Sequence, residues 1–209
     1  GFVTFARQGV VAILSIILNH TLYVYGGEHS VAVYGIISRM LMFALFPILG
    51  VTQGFLPIAG YNYGAKNYVR VSESISTSIK WAGILATLIF VLILTFAEPI
   101  VAIFSTDESI IKETPNALRL VFAASPIIAI QLIGAAYFQA AGKAIPALLL
   151  TLTKQGFFLI PLILILPNYY GIFGVWISFP IADVLSTLVT GFFLKREMNR
   201  KLTHAQDGI

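Results

Sequence analysis

Long runs of apolar residues, separated by short polar clusters, set the plan of this chain. Six stretches stay apolar for about 20 residues or more: Phe5–Tyr25, Val31–Ile58, Ile75–Ala97, Pro115–Ala141, Ile145–Leu166 and Ile172–Leu194. About 20 helical residues cross a hydrocarbon core of ~30 Å. The runs are continuously apolar, as in ILATLIFVLILTF at 84–96, whereas the strands of a membrane barrel alternate in ten-residue segments. Helices also satisfy their own backbone polar groups in lipid. The pattern predicts an all-α, polytopic membrane bundle of six transmembrane helices over 1–196, followed by a cytoplasmic tail over 197–209.

Composition supports lipid as the solvent. The chain is 58% hydrophobic and 11% charged, with mean hydropathy +0.90. A soluble domain carries about 25% charged residues, and a chain of this size has too much surface to cover with so few. A pI near 9.4 does not point to nucleic acid, because the basic residues sit at the ends of apolar runs instead of forming a patch. One set of connections holds Lys66, Arg70, Lys143, Lys195, Arg196, Arg200 and Lys201, with Arg7 on the same side. The other holds Glu28, Glu98, Asp107, Glu108, Lys112 and Glu113. The Lys/Arg bias places both chain ends in the cytoplasm and the protein in the inner membrane. In the outer segment, Ser105, Thr106 and Asp107 can cap a short helix from Glu108. The chain has no cysteine, which removes disulfides and thiolate metal sites. It begins with Gly1 instead of Met, which suggests a longer parent or a trimmed one.

The most specific pattern is Gly50-x-x-Gln53-x-x-x-Pro57-x-x-Gly60-x-Asn62-x-Gly64-Ala65, at the exit of the second run. Pro57 predicts a kink or an end to the helix. Gly60, Asn62 and Gly64 predict a tight turn beyond it, and Gln53 is a polar side chain left inside the membrane. The segment GVTQGFLPIAGYNYGAKN resembles the signature after the eighth helix of bacterial multidrug and toxic compound extrusion (MATE) transporters. IVAIFSTDESI resembles their outer segment between helices nine and ten. The stretch from YFQAAGKAIPALLL to ISFPIADVLS resembles helices ten to twelve, especially in the MepA-like branch. The resemblance covers nearly the whole chain and matches the C-terminal half of such a protein. It implies one lobe of a two-lobed transporter, exporting organic, drug-like cations by rocking against a separate N-terminal lobe. The implied coupling ion is H⁺ or Na⁺, with no other cofactor.

Within the runs, Arg39, Lys154 and Asp183 lie about 9–12 residues from a span end, close to mid-membrane at ~1.5 Å per residue. Charges there cost several kcal/mol and face a cavity or pair with each other. Asp183 is the only carboxylate well inside a span. It is either a cation or proton site or half of a salt bridge with Lys154 or Arg39. Asn19, Gln53, Gln131, Gln139 and Gln155 form a second polar layer, for which plain interhelical hydrogen bonding at roughly 0.6 kcal/mol each is the simplest role. Some relatives carry coupling carboxylates on the helices that hold Asn19 and Gln131 here, and this chain has none, so coupling is expected to reside in the other lobe. Pro126, Pro146, Pro161 and Pro180 interrupt or start helices, and Pro180 is placed to kink the last span beside Asp183. Lys80 and Arg119 read as interfacial anchors. Phe2, Phe5, Tyr23, Tyr25, Tyr34, Phe43 and Phe46 either line a cavity for aromatic cations or face lipid and its interface.

Three further readings compete. A lipid-linked saccharide flippase would need several cavity-facing arginines for phosphate. A lipid-modifying membrane enzyme would need a catalytic grouping in the loops, and there is no HExxH, Gly-x-Ser-x-Gly or P-loop; His20 and His29 do not form a metal pair. The chain is therefore expected not to be an enzyme. A non-transporting membrane assembly module remains the alternative for a half-length chain.

Overall fold

The computed structural model describes residues 2–207, apart from the side chains of Val3 and 205–207; Gly1 and the last two residues of the expected tail lie outside the described residues. Among the described residues the chain is helical, with no strand. The first helix, α1 (Phe2–Gly64), corrects the expected count. The loop expected between the first two spans is replaced by one non-helical residue, Gly27, at φ 68° and ψ −164°. Glycine reaches that conformation without a Cβ penalty. The preceding residue must be glycine too, because a Cβ on Gly26 would lie 1.8 Å from Ser30 Oγ. An uninterrupted helix of 63 residues would be about 95 Å long, so Gly27 divides it into two arms that can each cross a bilayer. Counted as continuous segments, five apolar helices are long enough to span, not six.

The second arm corrects another expectation. The helix runs through Pro57, Gly60 and Asn62 to Gly64 without leaving helical geometry. Phe55 and Ala59, on either side of Pro57, are buried in one cluster with Ile133, Ala136 and Tyr137. That burial holds the helix past the missing proline N–H. Asn62 bonds back along the helix, donating its Nδ2 to Ile58 O at 2.8 Å. At Gly60 a Cβ would sit in ordinary contact, 3.5 Å from Ala140 O. The turn itself comes later, with Lys66 in the left-handed region at φ 57°. Asn67 then caps α2 (Tyr68–Phe104) by accepting from Arg70 N.

Helix α2 continues past its expected end and past Pro99, with an irregular residue at Phe96. Beside that bend, Arg119 Nε donates to Leu94 O at 3.3 Å. Helix α3 (Glu108–Val121) starts where the Ser-Thr-Asp cluster predicted a cap. The Asp107 carboxylate accepts from Ser109 Oγ at 2.7 Å and from Ser109 N at 2.9 Å. Those two bonds, the hydroxyl's first, hold its pKa below the ordinary carboxylate value. The run expected as one span from 115 is split by a 3-10 turn, Ser125–Ile127, around Pro126; α4 (Ile128–Ala140) follows.

The next span is also compound: α5 (Ala144–Leu152), a π-helical segment (Thr153–Leu159) and α6 (Ile160–Ile165), followed by the single turn α7 (Pro167–Tyr170). In the π segment Ile160 N reaches back to Gln155 O. Thr151 and Thr153 hydroxyls take up the Ala147 and Leu149 carbonyls at 2.7 Å each, offsetting the disturbed backbone ladder. Helix α8 (Ile172–Asp207) passes through Pro180 as one continuous helix, so the proline does not end it. It also runs beyond residue 196, burying Glu197 and Met198 in the bundle.

Two large apolar clusters organise the bundle, and a small third one, Ile48, Ala82, Ala86 and Ala129, joins α1, α2 and α4. Of the two large ones, the first, at the acidic end, joins Leu18, Leu22, Val33, Ile37, Ile93, Leu118, Ile163 and Val175. The other, at the basic end, joins Phe55, Ala59, Val71, Ile75, Tyr137, Leu150, Leu194 and Met198. Along α1 and α8 the stretch between these two carries Thr52 and Asp183. The polar side chains gather in that gap.

Candidate functional site

The gap holds a cavity of about 340 Å³. The second arm of α1 supplies Leu45, Leu49, Thr52, Gln53 and Leu56, which recur at helical spacing on one face. Gln131, Ala135 and Gln139 come from α4, Thr151 from α5, Lys154 and Gln155 from the π segment, and Asp183 and Ser186 from α8. Arg7 reaches in from the first arm. A narrower recess of about 30 Å³ shares Lys154 and Asp183 and is otherwise largely apolar.

The charged centre is one ion pair. Lys154 Nζ lies 2.7 Å from Asp183 Oδ1, yet that oxygen has no hydrogen-bond partner. The contact is short and poorly aligned. The exposure is unequal: the Lys154 side chain is 29% exposed and that of Asp183 6%. Asp183 is thus walled in while the ammonium faces the cavity. Lys154 and Gln155 both lie in the π segment and both line the cavity. Gln131 is buried and donates Nε2 to Leu150 O at 3.2 Å, tying α4 to α5.

Six of the polar residues singled out from sequence, Gln53, Gln131, Gln139, Lys154, Gln155 and Asp183, therefore line one cavity. Two do not join them. Arg39 and Asn19 are exposed, and among the described residues Arg39 makes no ion pair, while Asp183 pairs with Lys154. The sequence fixes their depth, but the helical face each occupies follows only from packing. Of the motif residues, Pro57, Gly60, Asn62, Gly64 and Pro180 line no part of the cavity. The aromatic candidates do not line it either: Phe2, Phe5, Tyr23, Phe43 and Phe46 are exposed, and Tyr34 stacks on Phe179 at 5.9 Å. Arg7, Thr52, Thr151 and Ser186 were missed as site residues. Small hydroxyls satisfied within their own helix leave no distinctive sequence signal.

At the acidic end His29 pairs with Glu113, and Tyr25 donates to Asn168 Oδ1 at 2.6 Å. Among the described residues no group of three or more His, Cys, Asp or Glu side chains is placed to hold a metal.

Apolar helices long enough to cross a membrane, closed around a polar recess, define a polytopic membrane helix bundle. The MatE family model matches residues 4–165, and the chain belongs to that family of membrane transporters. It is similar to the multidrug export protein MepA of Staphylococcus haemolyticus, at 25% identity over 96% of this chain and 44% of that protein. It is 38% identical to the MATE multidrug transporter DinF-BH, with a TM-score of 0.82 over 95% of this chain and 45% of that one. An outward-facing MATE transporter structure matches with a TM-score of 0.91 at 23% identity, over 97% of this chain and 46% of that one. The chain spans about half the length of the relatives it matches.

Proposed function

We propose that this chain is one lobe of a multidrug or organic-cation exporter and that the cavity is its share of the transport path. The supporting observation is the concentration of Gln53, Gln131, Lys154, Gln155 and Asp183 around a single recess between two apolar cores. Isolated polar residues used only as helix glue have no reason to converge. MepA and DinF-BH are both described as multidrug proteins, and coverage of about half their length suits a lobe. Transport then requires a second unit of similar size, because alternating access moves two units about a shared site. The driving force is an H⁺ or Na⁺ gradient, and the main coupling groups belong to the other unit. In this lobe the Asp183 carboxylate, held by Lys154, is the group placed to exchange partners when a cation enters. Both ends of the chain face the cytoplasm of an inner membrane.

The test is efflux of an ethidium-like cation from proteoliposomes under an imposed pH or Na⁺ gradient. The 209-residue chain alone gives no gradient-dependent export, whereas the chain joined to a second family half does, and Asp183→Asn lowers that export. Export by the chain alone would refute the lobe reading. Unchanged export by a folded Asp183→Asn protein would remove Asp183 from the path.

A further inference from the structure

A second recess lies at the basic end, outside the cavity just described, with a volume of about 360 Å³. Its chemistry is graded along α8. Phe193 and, opposite it, Leu149 form an apolar wall; Arg196 and Arg200 follow one and two turns further out. At ~1.5 Å per residue the guanidiniums are carried about 4–10 Å beyond the Phe193 ring. Lys143 also borders the recess, but its Nζ is committed to Glu197 Oε2 at 2.5 Å. Lys143 therefore neutralises Glu197, and two guanidiniums remain without an ion-pair partner among the described residues. The side chain of Glu197 is 6% exposed, and its Oε1 is buried with no hydrogen-bond donor.

We propose that this recess binds the headgroup of an anionic phospholipid, with phosphatidylglycerol as the type. The phosphodiester lies against Arg196 and Arg200, and the upper acyl methylenes lie along Phe193 and Leu149. The occupant is a lipid instead of a free anion because the apolar wall leads from the two charges towards the membrane-spanning part of α8. General surface attraction would need only charge near the leaflet, without an apolar wall beside the charges.

The experiment uses the purified chain in neutral detergent, with bound lipid counted by native mass spectrometry and thermal stability followed in parallel. Two pocket arginines at ~1 kcal/mol each correspond to a roughly 30-fold preference for phosphatidylglycerol over phosphatidylcholine. Arg196→Gln with Arg200→Gln abolishes the preference. Lys66→Gln with Arg70→Gln, the same change of charge at the same end of the bundle, leaves it intact. Both arginines are exposed, so folding should survive; Arg200→Gln alone, expected to give an intermediate preference, is the second variant should the double one misfold. Equal binding of the two lipids, an equal loss in the Lys66/Arg70 control, or stabilisation by inorganic phosphate matching that by phosphatidylglycerol would each overturn the proposal.

Discussion

Breaking the Lys154–Asp183 pair from one side or the other should have unequal consequences, and the inequality follows from exposure. Two unit charges 2.7 Å apart attract by about 6 kcal/mol at an effective dielectric of ~20, before desolvation is subtracted. Replacing Lys154 with Met leaves a carboxylate that is 6% exposed without its counter-charge. Loss of one partner in a buried pair costs about 3–5 kcal/mol, or roughly 6–20 °C in Tm for a chain of this size. Asp183→Asn instead strands an ammonium whose side chain is 29% exposed and which can turn to cavity water on its flexible stem. Its cost should be nearer 1–2 kcal/mol, the scale of an imperfectly satisfied polar group. The Lys154→Met/Asp183→Asn double variant removes both charges and should recover most of the loss. Thermal unfolding of the four proteins in one detergent, followed by Trp176 fluorescence, gives the order directly. If Lys154→Met is as mild as Asp183→Asn, the carboxylate does not depend on Lys154 and the reasoning fails.

Three further outcomes are expected. Gly174→Ala should cost more than Gly134→Ala: a Cβ on Gly174 meets the Leu166 backbone at 2.7 Å, while one on Gly134 meets the Thr190 methyl at 2.4 Å. Thr190→Ser should rescue only Gly134→Ala, and equal thermal shifts without rescue would disprove the contrast. The Asp107 carboxylate titrates below its ordinary value, so its cap stabilises α3 above the unfolded-state pKa of about 3.9 and is lost as pH falls through the lower folded value; the Ser109 amide resonance should follow that acid transition in the native chain and not in Asp107→Asn. Cysteine introduced at Ser105 should label from outside and at Asn199 only from the cytoplasmic side; the reverse would overturn the proposed orientation.

The fold class was legible because lipid imposes one requirement, an apolar helix of sufficient length, and the runs of apolar residues meet it directly. Breaks were harder to read. Pro57 and Pro180 carry the strongest helix-breaking signals, yet the backbone passes through both, because burial of neighbours such as Phe55 and Ala59 outweighs one missing hydrogen bond. The real departures, at Gly27, Phe96 and Thr153–Leu159, are set by how arms and faces meet, which a single sequence does not display. The same limit applied to the site. Depth along a span singled out Asp183 and Lys154, which the structure brings together as an ion pair. It could not show that Arg39 and Asn19 are exposed on this bundle.

The π segment has a consequence for the history of this helix. Hydrogen bonding from residue i to i+5 accommodates one residue more per turn than the regular ladder, so Thr153–Leu159 is what a helix looks like after accepting a single inserted residue. Deleting one residue there should let α5 and α6 fuse into an unbroken α-helix while every residue on one side keeps its face. Such a deletion would turn the residues of the segment itself, Lys154 and Gln155 among them, relative to the cavity they line. A change of one codon would thus be enough to change what the recess presents to a ligand.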